Sequence, residues 1–431
     1  MNTILISMVA MLFFLMLSNV PIGFAIAGAC AFTLTFVTAN PLVFKLLPQA
    51  MVSSIDSFPL MAIPFFMLIG TLMSKTGLSK DIIGVAEAAA GDSPGGLGSA
   101  AIVACMIFAS ISGSGPAVVA ALGSILVPAM LDRGYGPAYS GALCAAGATI
   151  GPVIPPSIPM IVYGVTGGVS VVSMFTGGFI PGILMGAALI TANYIISKKR
   201  GYAGAARGGG GKWVLKQCWK AKWALGLPFI VLGGIYGGVF TPTEAAVIGC
   251  VYSFLVGKFV YRSLDAKAYT EALIEAAVMS AIIMFILGGA TTFGRILTME
   301  RIPQQLASAL LGLTQSPVLI MTMIMMILLV GGMFLDTISN IVLFTPLFLP
   351  IVKSLGYDPV FFGVLMTINL CIGFITPPVG INLYVAQSLT KAPFEMIIKE
   401  AFTLVLVLLA VMFVVMLFPS LVLFLPGLLG R

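Results

Sequence analysis

The 431-residue sequence contains no histidine. That removes Ser-His catalysis, histidine proton relays and the commonest metal ligand. Charge is also scarce. The 21 Lys or Arg and 14 Asp or Glu make up 8% of the chain, against roughly 25% in an average soluble protein. No Walker A run or other nucleotide motif occurs, so no nucleotide or redox cofactor is expected. The six cysteines (Cys30, Cys105, Cys144, Cys218, Cys250 and Cys371) never show C-x-x-C spacing, and five lie in apolar runs. They read as buried small hydrophobes rather than disulfides or metal ligands. The net charge of +7 is no sign of nucleic acid, because the basic residues sit between apolar stretches.

What is present is apolar length. Apolar residues make up 60% of the chain, and the mean hydropathy is +1.14. A soluble fold could not cover such a chain with polar surface. The lipid bilayer is its expected solvent, and the fold class is an all-α polytopic membrane protein. At roughly 20 residues per crossing, the length holds about ten to twelve crossings or part-crossings. Met1 to Phe36 is apolar for too long to be a signal peptide and reads as a retained helix broken at Pro21. Eight basic residues and no acid fall in one segment: Lys198, Lys199, Arg200, Arg207, Lys212, Lys216, Lys220 and Lys222. The positive-inside rule puts that segment in the cytoplasm, and Gly208 to Gly211 within it reads as a flexible linker. Thr241-Pro242-Thr243-Glu244 has the form of a capping box with proline at the first helical position. A helix start accounts for it, and an ion-binding or catalytic role for Glu244 is the alternative.

The high Gly and Pro counts, 49 and 26, are not spread evenly. Shifted by 222 residues, Pro128–Pro156 matches Pro350–Pro378 without a gap, with ten identities in 29 positions. They include four prolines, a Gly-Tyr-x-Pro in register (Gly134/Gly356, Tyr135/Tyr357, Pro137/Pro359), Gly141/Gly363 and Gly151/Gly373. Apolar low complexity does not readily produce that pattern, so the chain carries an internal duplication. A Pro-Pro pair in a helix frees backbone carbonyls. At membrane depth such groups are tolerated only where they line a cavity or bind something. Gly151–Ser157 and Gly373–Gly380 are therefore expected to be the unwound centres of two broken helices. The same shift pairs Ser112-Gly113-Ser114-Gly115-Pro116 with Phe334-Leu335-Asp336-Thr337-Ile338, expected as the tips of two re-entrant hairpins. Close helix packing through small residues is the alternative for the first. Duplicated interrupted segments are the mark of a secondary transporter's binding site.

Such a site suits a hard cation held by carbonyls and hydroxyls. One Na⁺ site per repeat is expected. The first uses Ser110, Ser112, Gly151, Ile154 and Ser157. The second uses Gly332, Gly373, Thr376 and Val379, mostly through main-chain oxygen. Hairpin tips and half-helix N-termini suit an anion, which makes Ser112, Ser114, Asp336 and Arg295 the substrate-binding candidates. Arg295, at the end of an apolar run, pairs with Asp336, binds a substrate carboxylate, or snorkels to an interface with Arg301. An intramembrane aspartyl protease would need a second aspartate, but the repeat partner of Asp336 is Ser114.

Ser112-Gly113-Ser114-Gly115-Pro116-Ala117, Ile154-Pro155-Pro156-Ser157, Thr241-Pro242-Thr243-Glu244-Ala245-Ala246 and Thr376-Pro377-Pro378 together resemble the large membrane subunit of TRAP (tripartite ATP-independent periplasmic) transporters over essentially the whole chain. The resemblance implies an inverted-repeat ion-transporter fold, with a scaffold and a moving transport domain working as an elevator. It implies Na⁺-driven uptake of an organic acid in the bacterial inner membrane. It also implies two partners: a small four-helix membrane subunit, expected here as a separate chain, and a periplasmic substrate-binding protein. Arg295 with Asp336 resembles the sialic-acid branch. The expected division is scaffold helices over 1–57, a first repeat over 58–197 (hairpin 97–131, broken helix 137–165) and a basic loop over 198–222. Scaffold helices follow over 223–271, then a second repeat over 272–399 (hairpin 317–353, broken helix 359–390) and a C-terminal helix over 400–431. The competing readings are a stand-alone Na⁺-coupled anion transporter of the same superfamily and, from another class, an intramembrane enzyme or an assembly component.

Overall fold

In hydrocarbon every backbone N–H and C=O must find a partner within the protein, so the apolar runs fold as helices. The computed structural model describes residues 3–37, 43–91, 93–202 and 210–429. The side chains of 43–46, 79, 109–112 and 210–211 are outside that description. The first half contains α1 (Thr3–Leu17), α2 (Ile22–Phe32), α3 (Val43–Ile55), α4 (Ala62–Lys75), α5 (Leu78–Ala90), α6 (Gly96–Ser112), α7 (Gly115–Leu131), α8 (Pro137–Ala148), α9 (Ile158–Gly167) and α10 (Val171–Arg200). After α11 (Gly210–Lys220) come α12 (Lys222–Tyr236), α13 (Pro242–Leu255), α14 (Ala266–Met299), α15 (Ile302–Leu313), α16 (Pro317–Phe334), α17 (Thr337–Ser354), α18 (Pro359–Gly373), α19 (Ile381–Thr390), α20 (Phe394–Leu417) and α21 (Ser420–Leu428). No strand occurs among the described residues, and seven helices there are long and apolar enough to cross a membrane.

The 222-residue shift applies to the whole architecture. It lays α12 on α1, α13 on α2, α14 on α3 plus α4, and α15 to α20 on α5 to α10, each start within three residues of its counterpart. Even the π-helical turns that extend α2 and α13, Thr33–Val37 and Val256–Val260, correspond. The repeat is thus wider than the blocks 58–197 and 272–399. Outside the breaks the fold asks only for apolar helix, so residue identity has drifted while helix positions have not. One local difference has a clear cause. The first unit bends between α3 and α4, where Pro59 lacks an N–H, whereas Ala281 at the matching place leaves α14 a continuous 34 residues.

The basic segment 198–222 differs from the expected loop. α10 continues to Arg200, and α11 occupies 210–220. Of the expected linker, Gly210 and Gly211 open α11, while Gly208 and Gly209, like Arg207, lie outside the described residues. Thr241 and Glu244 form the capping box at the start of α13. The Thr241 N–H donates to Glu244 Oε2 at 2.8 Å, and the Glu244 N–H donates to Thr241 Oγ1 at 3.3 Å. The cysteines are free, and all but Cys218 are buried.

The first halves of the broken helices, α8 and α18, form the centre. Ala138–Ala148 and Phe361–Gly373 are buried without exception, as expected of a helix that is apolar all round. Each receives the second half of the other unit's broken helix. The Tyr163 ring of α9 lies where a Cβ on Gly363 would stand, and Tyr163 Oη donates to the Pro359 carbonyl at 2.8 Å. Symmetrically, Thr390 and Ala386 of α19 pack on Gly141. The repeated Gly141/Gly363 pair is therefore a steric requirement of this exchange.

The tightest approach is backbone on backbone. A Cβ on Gly373 would lie 2.5 Å from the carbonyl carbon and oxygen of Gly332. Gly373→Ala should therefore cost about 1–3 kcal/mol through overpacking. Gly233→Ala, with nothing within 4 Å of the new methyl, should not destabilise. Thermal unfolding of the two variants in detergent checks the contrast.

Candidate functional site

The two hairpin tips solve one problem in two ways. At the first, α6 turns into α7 through Gly113, whose φ of +62° is one that L side chains rarely adopt, and Ser114. At the second, Leu335 stays extended and no left-handed residue is used. Its carbonyls are gathered instead by a side chain. Asn340 Nδ2 donates to the oxygens of Asp336 (2.9 Å), Leu335 (3.0 Å) and Gly331 (3.3 Å). The counterpart of Asn340 in the first unit is Val118, which has nothing to donate.

The helix breaks lie beside the tips. In the first, Ser157 Oγ donates to the Pro152 carbonyl and accepts from the Met160 N–H at 3.3 Å, so it both bridges the break and caps α9. In the second, the Asn382 N–H donates to the Phe374 carbonyl at 3.0 Å, and Thr376 Oγ1 donates to the Ile372 carbonyl at 2.8 Å. Both Pro-Pro peptides, 155–156 and 377–378, are cis. Among the described residues, no hydrogen bond reaches the carbonyl oxygens of Gly151, Ile154, Gly332, Thr376 or Val379. Gly373 O accepts from the Thr376 N–H at 3.0 Å. Gly332 and Gly373 are brought together, as are Ser157 and the Gly151–Ile154 turn. The side chains of Ser110 and Ser112 lie outside the described residues.

Both tips and both breaks border one cavity of about 290 Å³. Four helix N-termini converge on it: Gly115 of α7, Ile158 of α9, Thr337 of α17 and Ile381 of α19. Each brings a positive partial charge. Two of them are capped by side chains, α9 by Ser157 and α17 by Asp336. The Asp336 carboxylate, half-buried, accepts from the Ser339 N–H at 3.1 Å and from the Ser339 hydroxyl. The other two, α7 after Ser114 and α19 after Gly380, carry no side-chain cap. α14 closes the opposite wall with Ile282, Ile283 and Ile286.

Arg295 is elsewhere. It is exposed to a second cavity of about 560 Å³, edged by the hydroxyls of Ser54, Thr166, Thr291 and Thr298. Among the described residues it forms no ion pair, and of its expected roles pairing with Asp336 is not the one observed. The two cavities follow one another along α9, α14 and α17. Ile283 borders the first and Arg295 the second, on one continuous helix, about 18 Å apart at 1.5 Å per residue.

Sequence reasoning missed three buried asparagines. Besides Asn340, Asn382 Nδ2 reaches across the repeats to the Ala145 carbonyl at 3.2 Å, against Gly115 of the first tip. Asn369 Nδ2 reaches the Met325 carbonyl at 2.8 Å. Each is fully buried, with its side-chain oxygen unpartnered among the described residues. A lone amide in an apolar run costs enough to demand a reason, and that signal was available.

Paired tips and paired breaks around one cavity, in an all-helical membrane chain, define a secondary transporter. The chain belongs to the family described as Tripartite ATP-independent periplasmic transporter, DctM component, which matches residues 9–421. It is a TRAP large permease subunit, a transporter component and not an enzyme. It is 44% identical over 415 residues to the isethionate TRAP transporter permease protein DctMQ of Oleidesulfovibrio alaskensis. That match takes in 96% of this chain but only 65% of the relative. It is 39% identical to the C4-dicarboxylate TRAP transporter large permease protein DctM of Pseudomonas aeruginosa (92% and 93% covered). It is 35% identical to the sialic acid TRAP transporter large permease protein SiaM of Vibrio cholerae (96% of each). The solved YdaH transporter of Alcanivorax borkumensis shares the fold, with a TM-score of 0.60, 15% identity and 87% of each chain covered.

Replacing Asn340 by Leu keeps the bulk but removes the side-chain donor shared by three tip carbonyls, and it leaves the Leu335 carbonyl without any donor, since Gly331 and Asp336 also accept from backbone N–H groups. Unfolding stability should fall by about 1–3 kcal/mol, read as a lower melting temperature of the purified chain.

Proposed function

We propose that this chain is the membrane-embedded transport subunit of a Na⁺-coupled importer of an organic anion. The observation that carries the reading is the convergence of four helix N-termini and two helix breaks on one cavity. Uncapped N-termini suit an anion. The carbonyls of Gly151, Ile154, Gly332, Thr376 and Val379 offer neutral oxygens to a hard cation, supplemented by the hydroxyls of Ser157 and Thr376. A cation bound at each break supplies the charge that the freed carbonyls lack, so ion binding and tip geometry are coupled. Ser110, Ser112 and Gly373 complete the two ion sites in this reading, and Ser112, Ser114 and Asp336 face the cargo. Asp336, its charge offset by the α17 N-terminus, accepts from cargo hydroxyl or amino groups. Arg295 attracts the anionic group in the outer cavity before it reaches the tips.

The hairpins and broken helices then move as one body against a scaffold, an elevator displacement. A small four-helix membrane subunit steadies that scaffold, and a periplasmic binding protein delivers the cargo, as the tripartite family name suggests. The location is the bacterial inner membrane, with the basic segment 198–222 cytoplasmic. The cargo class is a carboxylate or sulfonate. The relatives' names give isethionate, C4-dicarboxylates and sialic acid as candidates. The expectation of sialic acid rested on Arg295 and Asp336 acting together, and they border separate cavities. Sialic acid therefore stands as one candidate within the wider class.

Co-reconstitution in liposomes with both partners should give uptake of one of these acids that requires an inward Na⁺ gradient. Uptake by this chain alone would favour the stand-alone reading, and a null result across the panel would favour an assembly role. In the same assay Asp336→Asn should retain the helix cap yet lose at least roughly tenfold in uptake, an effect of about 1.4 kcal/mol or more. Wild-type uptake would refute its place in the path. Thr376→Val should raise the Na⁺ concentration for half-maximal uptake. An unchanged curve would leave only its main-chain oxygen in play.

A further inference from the structure

All three tryptophans of the chain, Trp213, Trp219 and Trp223, fall on α11 or within the first turn of α12. Four lysines, Lys212, Lys216, Lys220 and Lys222, alternate with them, and no acidic residue occurs anywhere from 133 to 243. The helix lies between the two repeat units rather than within either. Its faces are sharply divided. Lys212, Leu215, Lys216, Trp219 and Lys220 are exposed at helical spacing, with Leu215 71% and Trp219 72% accessible. The opposite face rests on α5, where Gln217 approaches Gly84, and at the stripe's edge Lys220 Nζ lies 3.5 Å from Asp81 Oδ1. Asp81 also accepts from Tyr261 Oη at 2.6 Å, which fixes the underside of the helix.

The exposed stripe is neither a core face nor an ordinary water-solvated one. Large apolar rings stand in it beside Lys212 and Lys216, which form no ion pair among the described residues. Lys216 Nζ sits 5.7 Å from the Trp213 ring centre, and Lys222 Nζ sits 4.5 Å from Trp219 and 5.4 Å from Trp223. Tryptophan and lysine share one natural medium, the boundary between acyl chains and headgroups. The height is right as well. α11 hands directly into the apolar α12 at Ala221, and α10 ends on Lys198, Lys199 and Arg200. The spanning helix α10 thus ends, and the apolar helix α12 begins, at this segment. An uncompensated cationic stripe at that boundary complements an anionic headgroup, not a zwitterionic one.

We propose that α11 is an interfacial helix whose lysine–tryptophan stripe binds anionic phospholipid headgroups. The site anchors α5, and through α5 the first hairpin, which packs against it. It is independent of the cargo and ion sites.

Because the chain has no other tryptophan, its tryptophan fluorescence, excited selectively over that of its tyrosines, reports on this segment alone. The full-length chain is reconstituted in vesicles carrying the same mole fraction of ring-quenching brominated lipid, either phosphatidylglycerol or phosphatidylcholine. Brominated phosphatidylglycerol should quench more strongly, by roughly twofold or more. Added NaCl should reduce the difference, and K212Q/K216Q/K222Q, which leaves Lys220 on Asp81, should abolish it. Equal quenching by the two lipids in the wild type would overturn the proposal, as would a preference that survives in the triple variant. Quenching by neither would also overturn it, since protein rather than lipid would then cover the stripe.

Discussion

A helix that breaks inside hydrocarbon leaves carbonyl oxygens with no water to accept from. Two such breaks, at Gly151–Ser157 and Gly373–Gly380, organise this molecule. They sit at its most buried point, at the ends of helices with no exposed face. Part of the deficit is met internally, by Ser157 across the first break and by Asn382 and Thr376 across the second. The carbonyls of Gly151, Ile154, Thr376 and Val379 accept from no donor among the described residues. Gly332 and Gly373 touch through their backbones, since a Cβ on Gly373 would collide with the Gly332 carbonyl and one on Gly332 would crowd Leu370.

Duplication turns one such break into a site. Each broken helix lends its second half to the other unit, with Tyr163 on Gly363 and Thr390 on Gly141. The two breaks and two tips are thereby drawn to a common cavity rather than to opposite ends of the bundle. The symmetry is not copied residue for residue. Gly113 turns the first tip, whereas Asn340 holds the second. Ser157 caps α9, while Gly380 leaves α19 uncapped. Two equivalent frames therefore present different chemistry.

Much of this was legible in the sequence, because broken helices need residues that ordinary helices avoid. Prolines and glycines in register gave the duplication, the breaks and the tips, and Thr241-Pro242-Thr243-Glu244 gave a helix start that the structure shows bond for bond. The remainder was hidden for physical reasons. The repeat's full extent, from α1 to α20, runs through apolar helices where any apolar residue serves. The asparagines bond to backbone atoms, so no motif marks them, and their one signal is a lone amide in an apolar run. Asp336 and Arg295 are both rare intramembrane charges and invited pairing, but an N-terminus already satisfies one and the other faces a separate cavity. The basic segment looked like a loop because lysine and glycine dominate it, whereas 210–220 is helical.

In the proposed function, the unpartnered carbonyls at the two breaks hold Na⁺. A ligand that binds the folded state raises its melting temperature by mass action. The direct measurement is thermal unfolding of the purified chain in detergent, with NaCl titrated against KCl and choline chloride at constant ionic strength. The melting temperature should climb with Na⁺ and saturate, with K⁺ and choline ineffective. Identical melting in all three salts would contradict it.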